Sequence, residues 1–182
     1  MNAETIKALQ PGDVLLYSGA GPMSLGIRLV TASRYTHVEM FDGGGASWAS
    51  RDWIGVGRYP LRTDGLALAL RMHPSVPFDL EGARAFWRDA DGEPYDWPGL
   101  VVSRLPWLQS RTSDERAQFC SEALTRAVRF GIARATGVPA GRGMGQALAV
   151  RGFDPFAGAP AEAIHPGAFA WCPFFRSFEV VS

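Results

Sequence analysis

Two side chains of this sequence could act together as a nucleophile and its base. Cys120 lies in the segment AQFCSEAL, which has the composition of a helix, and His37 lies in THVEM, which is rich in strand-forming residues. A cysteine attacks as the thiolate, and a neighbouring histidine can take its proton and later return it. This pair therefore predicts acyl transfer at an amide or ester carbonyl.

The strand that carries His37 runs into a glycine-rich turn, and the turn predicts what faces the imidazole. If Gly43 and Gly44 form a two-residue turn, Asp42 faces Gly45 and His37 faces Ser50. Directly opposed residues of two strands have Cβ atoms about 5 Å apart. The sequence therefore predicts Ser50 as the third residue, which would orient the imidazole.

Two carboxylates compete with Ser50 for this role. Glu39 is two residues after His37, on the same face of the strand, and Asp52 follows the second strand of the hairpin. A neutral serine would orient the imidazole but would stabilise the imidazolium less than a carboxylate would.

The helix that contains Cys120 must begin close to it if the helix dipole is to favour the thiolate. The segment TSDE at 112–115 has the pattern of a capping box, which would place Cys120 two turns inside a helix. We therefore expect a break near Gln118–Phe119, so that a new helix begins at Cys120. The helix is expected to stop at Gly131 or soon after it.

The remaining segments predict an α+β domain. Strands are expected at 14–17, 35–41, 46–53 and 66–71 and near the C-terminus (FFRSFEVV), and helices are expected within 23–33 and at 79–89. We expect one domain over residues 1–182, with a core at about 10–135. Residues 136–168 are rich in Gly, Pro and Ala and predict irregular structure.

Composition narrows the classes of partner. The chain has 182 residues, 18 basic and 18 acidic side chains and a formal net charge of zero, which argues against a nucleic-acid partner. Cys120 and Cys172 are far apart, as are His37, His73 and His165, so the spacing predicts no structural zinc site. No cofactor is expected either. Cys172, between aromatic residues, is expected in the core.

Several motifs together resemble one family. PGDVLLYSG, SRYTHVEMF followed by a glycine turn, GVGRYPLR, GEPYDW and QFCSEAL occur in this order over roughly residues 10 to 130. The order resembles the permuted branch of the NlpC/P60 superfamily (YiiX-like), papain-like cysteine amidases and peptidases in which the histidine strand precedes the cysteine helix. The resemblance implies a circularly permuted papain-like α+β fold, with a small antiparallel sheet packed against helices.

The resemblance also implies roles for individual residues. Cys120 takes the place of the nucleophile and His37 that of the base, whereas the third residue does not map cleanly, because relatives often have His or Glu near Ser47–Ser50. An oxyanion hole is expected from the backbone N–H of Cys120 and one side chain. Its candidates are Gln118, Tyr17 and Tyr35. The segment at 95–97 (YDW) is expected near the substrate cleft.

The function implied is hydrolysis of an amide, foremost a peptide bond in bacterial peptidoglycan. Two alternatives remain: a lipid-directed acyltransferase or thioesterase of the same fold, and a catalytically silent binding or structural module such as a phage tail component. The N-terminus predicts no secretory signal and no segment is apolar enough to span a membrane. We therefore expect a chain that is cytoplasmic as made and reaches the cell wall within a virion or through a secretion apparatus.

Overall fold

The computed structural model of the chain describes residues 3–95 and 119–178. In chain order the elements are α1 (Ala3–Lys7), β1 (Val14–Tyr17), α2 (Pro22–Thr31), β2 (His37–Gly43), β3 (Ala46–Arg51), β4 (Gly55–Pro60), β5 (Leu66–Met72), α3 (Leu80–Asp89), α4 (Cys120–Thr136), α5 (Met144–Val150), a 3-10 turn (Ala161–Ala163), α6 (Ala168–Trp171) and β6 (Phe175–Ser177). The TSDE segment predicted as a capping box lies outside the described residues.

The six strands form one antiparallel sheet in the order β4-β3-β2-β1-β5-β6. Strand β1 (VLLY) is apolar along its whole length and is buried at every position. It lies between β2 and β5, and apolar clusters cover both faces of the sheet at this strand. Leu15 and Tyr17 of this strand belong to a small apolar cluster on one face, whereas Val14 and Leu16 belong to the main core on the other.

Helices α3 and α4 pack together and cover the main core. Asp79 caps α3 by accepting hydrogen bonds from the backbone N–H groups of Glu81 (2.8 Å) and Gly82 (3.2 Å). Trp87 of α3 stacks on Trp48 of β3, with ring centroids 6.2 Å apart. These contacts fix the helix layer against the strands β2 and β3.

The predicted α+β class, with a small antiparallel sheet packed against helices, is confirmed, but one strand is missing from the predictions and two local predictions differ from the structure. Strand β4 was not predicted, because its glycine-rich sequence (GVGRYP) becomes a strand only by pairing with β3. Helix α4 continues past Gly131 and ends at Thr136, where Gly137 adopts the left-handed conformation (φ 68°). Residues 136–168 include the helix α5 and the 3-10 turn.

The hairpin of β2 and β3 has a different register from the predicted one. Met40 pairs with Trp48 and Phe41 with Ser47, and a bulge then allows Gly43 to pair with Ala46. The register is therefore shifted by one residue from the one that placed Ser50 opposite His37.

In the part of the chain that the structure describes, no helix is both long and apolar enough to cross a membrane.

Candidate active site

The structure brings His37 and Cys120 together at the ends of their elements. His37 is the first residue of β2 and pairs with Tyr17 of β1, and Cys120 is the first residue of α4. The imidazole of His37 and the buried thiol of Cys120 are hydrogen-bonded. Two residues far apart in the sequence thus meet as the predicted mechanism requires.

Cys120 occupies a position that favours the thiolate. Helix α4 begins at Cys120, with Phe119 as its N-cap, which agrees with the expected break near Gln118–Phe119. The first backbone N–H groups of a helix have no partner within the helix, and the helix dipole is positive at this end. The thiol therefore lies where a negative charge is stabilised, with an imidazole beside it.

Glu39 is the carboxylate that holds the imidazole. Its Oε1 lies 3.0 Å from Nε2 of His37, and its side chain is fully buried. Because this contact occupies Nε2, the other ring nitrogen, Nδ1, is left for the thiol of Cys120. Glu39, a rival in the sequence analysis, has the geometry of the third residue.

The prediction of Ser50 rested on a register that is wrong. When the observed register is continued along the hairpin, Ser50 lies across from Val38, and it pairs with Val56 of β4 on its other side. Val38 and Val56 both belong to the main apolar core. Asp52, the other rival, is exposed and lines the mouth of the cavity next to His37.

Three other side chains hold the carboxylate of Glu39 by hydrogen bonds, and a fourth, Arg62, lies near it beyond hydrogen-bond distance. Arg51 donates from Nε to Oε1 (3.0 Å) and from Nη2 to Oε2 (3.2 Å). The hydroxyl of Tyr17 donates to Oε2 (3.3 Å), Ser47 Oγ also donates to Oε2, and Arg62 lies 3.8 Å from Oε1. The sequence analysis gives Arg51 no role, and only the observed register places it beside Glu39.

The environment shifts the pKa values of the two partners in opposite directions. Burial raises the pKa of Glu39, but the hydrogen bond and charge of His37, the hydrogen bond of Ser47 and the charge of Arg51 outweigh it and lower the pKa to about 2. Burial lowers the pKa of His37, but the charge and hydrogen bonds of Cys120 and Glu39 outweigh it and raise the pKa to about 9. At neutral pH the imidazole is therefore positively charged.

The three side chains proposed for the oxyanion hole have different positions. Gln118 lies outside the described residues. The hydroxyl of Tyr17 is directed toward Glu39 and toward the carbonyl oxygen of Arg62 (3.0 Å), and the hydroxyl of Tyr35 accepts a hydrogen bond from Arg34 (2.7 Å). The role of each candidate stays a prediction.

A cavity of about 170 Å³ opens beside His37. Tyr17, Thr36, Arg62 and Tyr95 are among the side chains that line it. Tyr95 belongs to the YDW segment that is expected near the substrate cleft, and the other two residues of that segment lie outside the described residues.

The second cysteine has a different environment. The thiol of Cys172 is buried, and it donates to the carbonyl oxygen of Pro155 at 3.4 Å. Burial raises its pKa to about 11. Cys172 is thus a core residue, as expected, and the structure provides no base beside it comparable with His37 among the described residues.

Within the described residues, His37 and Glu39 are already paired with other side chains and do not form part of a metal site. One ring nitrogen of His37 is occupied by Glu39, and both oxygens of that carboxylate are occupied by Arg51. Within residues 3–95 and 119–178, no three His, Cys, Asp or Glu side chains are grouped so that they could hold a metal ion.

Comparison with known proteins supports the fold class and finds a similar solved structure. No protein-family model and no curated protein sequence matches this chain. The solved structures include a chain with the same fold, of the YiiX-like type.

That similar structure is YiiX from Escherichia coli O157:H7, described as a metalloprotein of DUF1105. The two chains are 17% identical, with a TM-score of 0.58, over 93% of this chain and 96% of YiiX. At this identity the likeness shows the fold alone.

Proposed function

We propose that this protein is a cysteine hydrolase that cleaves amide bonds, with Cys120 as the nucleophile and His37 as the acid and base. The observation that carries the proposal is the position of the His37 imidazole between the thiol of Cys120 and the carboxylate of Glu39. A buried cysteine that served only for packing would not need a charged imidazole beside it. Nor would it need a buried carboxylate to hold that imidazole.

In the proposed reaction, the thiolate of Cys120 attacks the carbonyl carbon of the amide and the C=O electron pair moves onto oxygen. The backbone N–H of Cys120 stabilises this oxyanion. When the C–N bond breaks, the imidazolium of His37 gives its proton to the leaving amine, which leaves a thioester. His37 then takes a proton from water, the hydroxide attacks the thioester, and the thiolate departs as the acid product forms.

Glu39 acts on this reaction through His37. A carboxylate hydrogen-bonded to Nε2 fixes the imidazole in one orientation, so that Nδ1 points to the sulfur, and it stabilises the imidazolium. Its hydrogen bonds with Arg51 prevent Glu39 from rotating away.

For the substrate we propose a peptide bond of bacterial peptidoglycan, which is the substrate that the resemblance implies. Delivery to the cell wall would then use a virion or a secretion apparatus.

A second candidate is a lipid-directed acyltransferase, and one observation favours it. Helix α2 lines the cavity through Ser24 and Ile27 and exposes Leu25 and Leu29 to solvent. Binding of the protein to phospholipid vesicles would favour this candidate.

The first test is the rate at which iodoacetamide alkylates each cysteine, followed by intact-mass spectrometry between about pH 5 and pH 9. A free thiol with a pKa of about 8.5 reacts slowly at pH 6. We expect Cys120 to react rapidly at pH 6 in the wild type and in Cys172→Ala. In His37→Ala we expect its rate at this pH to fall at least tenfold, because the thiolate loses its cationic partner.

The substrate arm of this test uses purified peptidoglycan and detects newly released amino groups. Cys120→Ala is expected to abolish release, whereas Cys172→Ala should retain it. A Cys120 that is inert at pH 6, or that reacts at a rate independent of His37, would overturn the enzyme assignment. A catalytically silent binding module would then be the better description.

A further inference from the structure

We propose that Arg62 determines substrate specificity by binding a carboxylate that lies close to the scissile bond. This inference rests on the proposed function, since it describes the substrate of the same site. Arg62 belongs to the loop between β4 and β5 and lines the cavity that opens beside His37.

The guanidinium of Arg62 is held over the site and remains accessible. It lies 4.7 Å above the centre of the Tyr17 ring, and Tyr17 is the residue that pairs with His37 in the sheet. The side chain of Arg62 is 44% exposed, whereas that of Arg51 is 16% exposed. Arg62 is therefore positioned by the same strands that position the base, but it faces solvent in the cavity.

The hydrogen-bonding capacity of Arg62 is not used within the described residues. Its nearest carboxylate, Glu39, is 3.8 Å away and already receives two hydrogen bonds from Arg51 as well as those of Ser47 and Tyr17. No N–H group of the Arg62 side chain donates a hydrogen bond to any residue in 3–95 or 119–178. A guanidinium has five donors that match a carboxylate in a planar, two-point contact.

The other charges of the cavity narrow the class of anion. Asp52, Asp64 and His37 also line it, so the two positive charges of Arg62 and His37 are balanced by two negative charges at the same opening. A ligand with several negative charges, such as a phospholipid headgroup with additional phosphates, would be repelled by these two carboxylates. A single carboxylate next to the scissile amide, as in a peptide with an acidic residue or a free carboxyl terminus, fits this arrangement.

The test compares two alkylating reagents that differ only in charge. Iodoacetate carries a carboxylate bonded directly to the carbon that Cys120 attacks, and iodoacetamide carries a neutral amide there. We expect Arg62→Gln to lower the rate of Cys120 alkylation by iodoacetate by about threefold or more, because an attractive charge is lost. The rate with iodoacetamide should change by less than about twofold.

Two further variants serve as controls. Arg62→Lys retains the positive charge and should retain most of the preference for iodoacetate. Arg176→Gln removes an exposed arginine from the edge strand β6, which β1 and β5 separate from β2, and should change neither rate. In the wild type, the ratio of the iodoacetate rate to the iodoacetamide rate should also fall at about 1 M salt, because salt screens the charge of Arg62. Circular dichroism of each variant verifies that it is folded.

The outcomes separate this inference from the proposed function. If Cys120 reacts with iodoacetamide in a His37-dependent way but Arg62→Gln leaves the ratio of the two rates unchanged, the role of Arg62 is refuted and the cysteine hydrolase stands. If Arg62→Gln lowers both rates equally, Arg62 has a structural role and the inference is again refuted. If Cys120 is inert to both reagents at about pH 6, the function and the inference fail together.

Discussion

Glu39 is a buried carboxylate whose neighbours keep it ionised. Replacement of either partner in such a pair leaves the other charge without compensation in a largely buried site. His37 and Arg51 therefore depend on Glu39 as much as Glu39 depends on them. This mutual dependence gives the site a measurable signature in the pH dependence of stability.

We expect Glu39→Gln to lower the free energy of unfolding by about 3 kcal/mol at neutral pH, as a shift of this size in the pKa implies. The pKa of Glu39 falls from 4.5 in the unfolded chain to about 2 in the folded protein, so its ionised form stabilises the folded state above pH 4.5. This contribution is lost as the pH falls toward 2. The difference between wild type and variant in urea unfolding should thus be large at about pH 7, about half as large at about pH 3, and nearly absent at about pH 2.

Arg58→Gln provides the control for this experiment. Arg58 donates to Asp42 from a half-exposed side chain, and its removal should cost less than about 1 kcal/mol. An equal effect of Glu39→Gln at all three pH values would mean that the charge of Glu39 does not stabilise the fold, and that the loss comes from packing.

At the scale of elements, helix α4 carries Cys120, and its packing depends on a glycine. A Cβ atom at Gly131 would lie 2.4 Å from Cε2 of Phe78 and 2.8 Å from the carbonyl oxygen of Asp79. The backbone N–H of Asp79, which caps α3, also donates to the carbonyl oxygen of Gly131 (3.1 Å). The two helices therefore approach each other closely at this residue.

We expect Gly131→Ala to destabilise the protein, although alanine is the better helix former by about 1 kcal/mol. The added methyl group must displace the ring of Phe78 and the start of α3, and overpacking of this kind costs about 1–3 kcal/mol. Thermal unfolding measures the effect. The matched control is Ala135→Gly on the exposed side of the same helix, which should lose about 1 kcal/mol from helix propensity alone. A more stable Gly131→Ala would show that the helices can separate without cost.

Most elements could be predicted from local patterns, but the pairing of Glu39 with Arg51 could not. Gly43, Gly44 and Gly45 all have positive φ in the structure, so the sequence offers several turns of similar energy and does not select one. A shift of one residue in a hairpin reverses which side chains share a face. For this reason the sequence predicts Ser50 opposite His37, whereas the observed register places Arg51 there, beside Glu39.

At the scale of the whole molecule, the C-terminal segment is tied to the helix that carries Cys120. Arg129 of α4 donates to both oxygens of Asp154, at 2.8 and 2.9 Å, and to the carbonyl oxygen of Ala159 at 2.6 Å. Ser121, next to Cys120, donates to the carbonyl oxygen of Ile164 at 2.6 Å. The composition of residues 136–168 did not predict these contacts, because they depend on partners distant in the sequence.

We expect Arg129→Met to destabilise the protein by about 3–5 kcal/mol, because it leaves the buried carboxylate of Asp154 without its cation. The double variant Arg129→Met with Asp154→Leu should recover part of this loss, since neither charge is then unpaired. Arg88→Met is the control, because Arg88 pairs with Glu81 at the surface and should cost less than about 1 kcal/mol. Urea unfolding of the four proteins measures these values, and a small effect of Arg129→Met would show that the segment contributes little to the fold.

The order of the strands has a consequence for the newly made chain. The strand with His37 is near the beginning of the sequence, whereas Cys120 comes only after all five strands from β1 to β5, and its helix is locked by contacts from the C-terminal segment. On the ribosome, or after unfolding for passage through a narrow channel, the thiol has no imidazole beside it and is an ordinary cysteine. The proposed activity would therefore arise only after the whole fold, from β2 to the C-terminal segment, has formed.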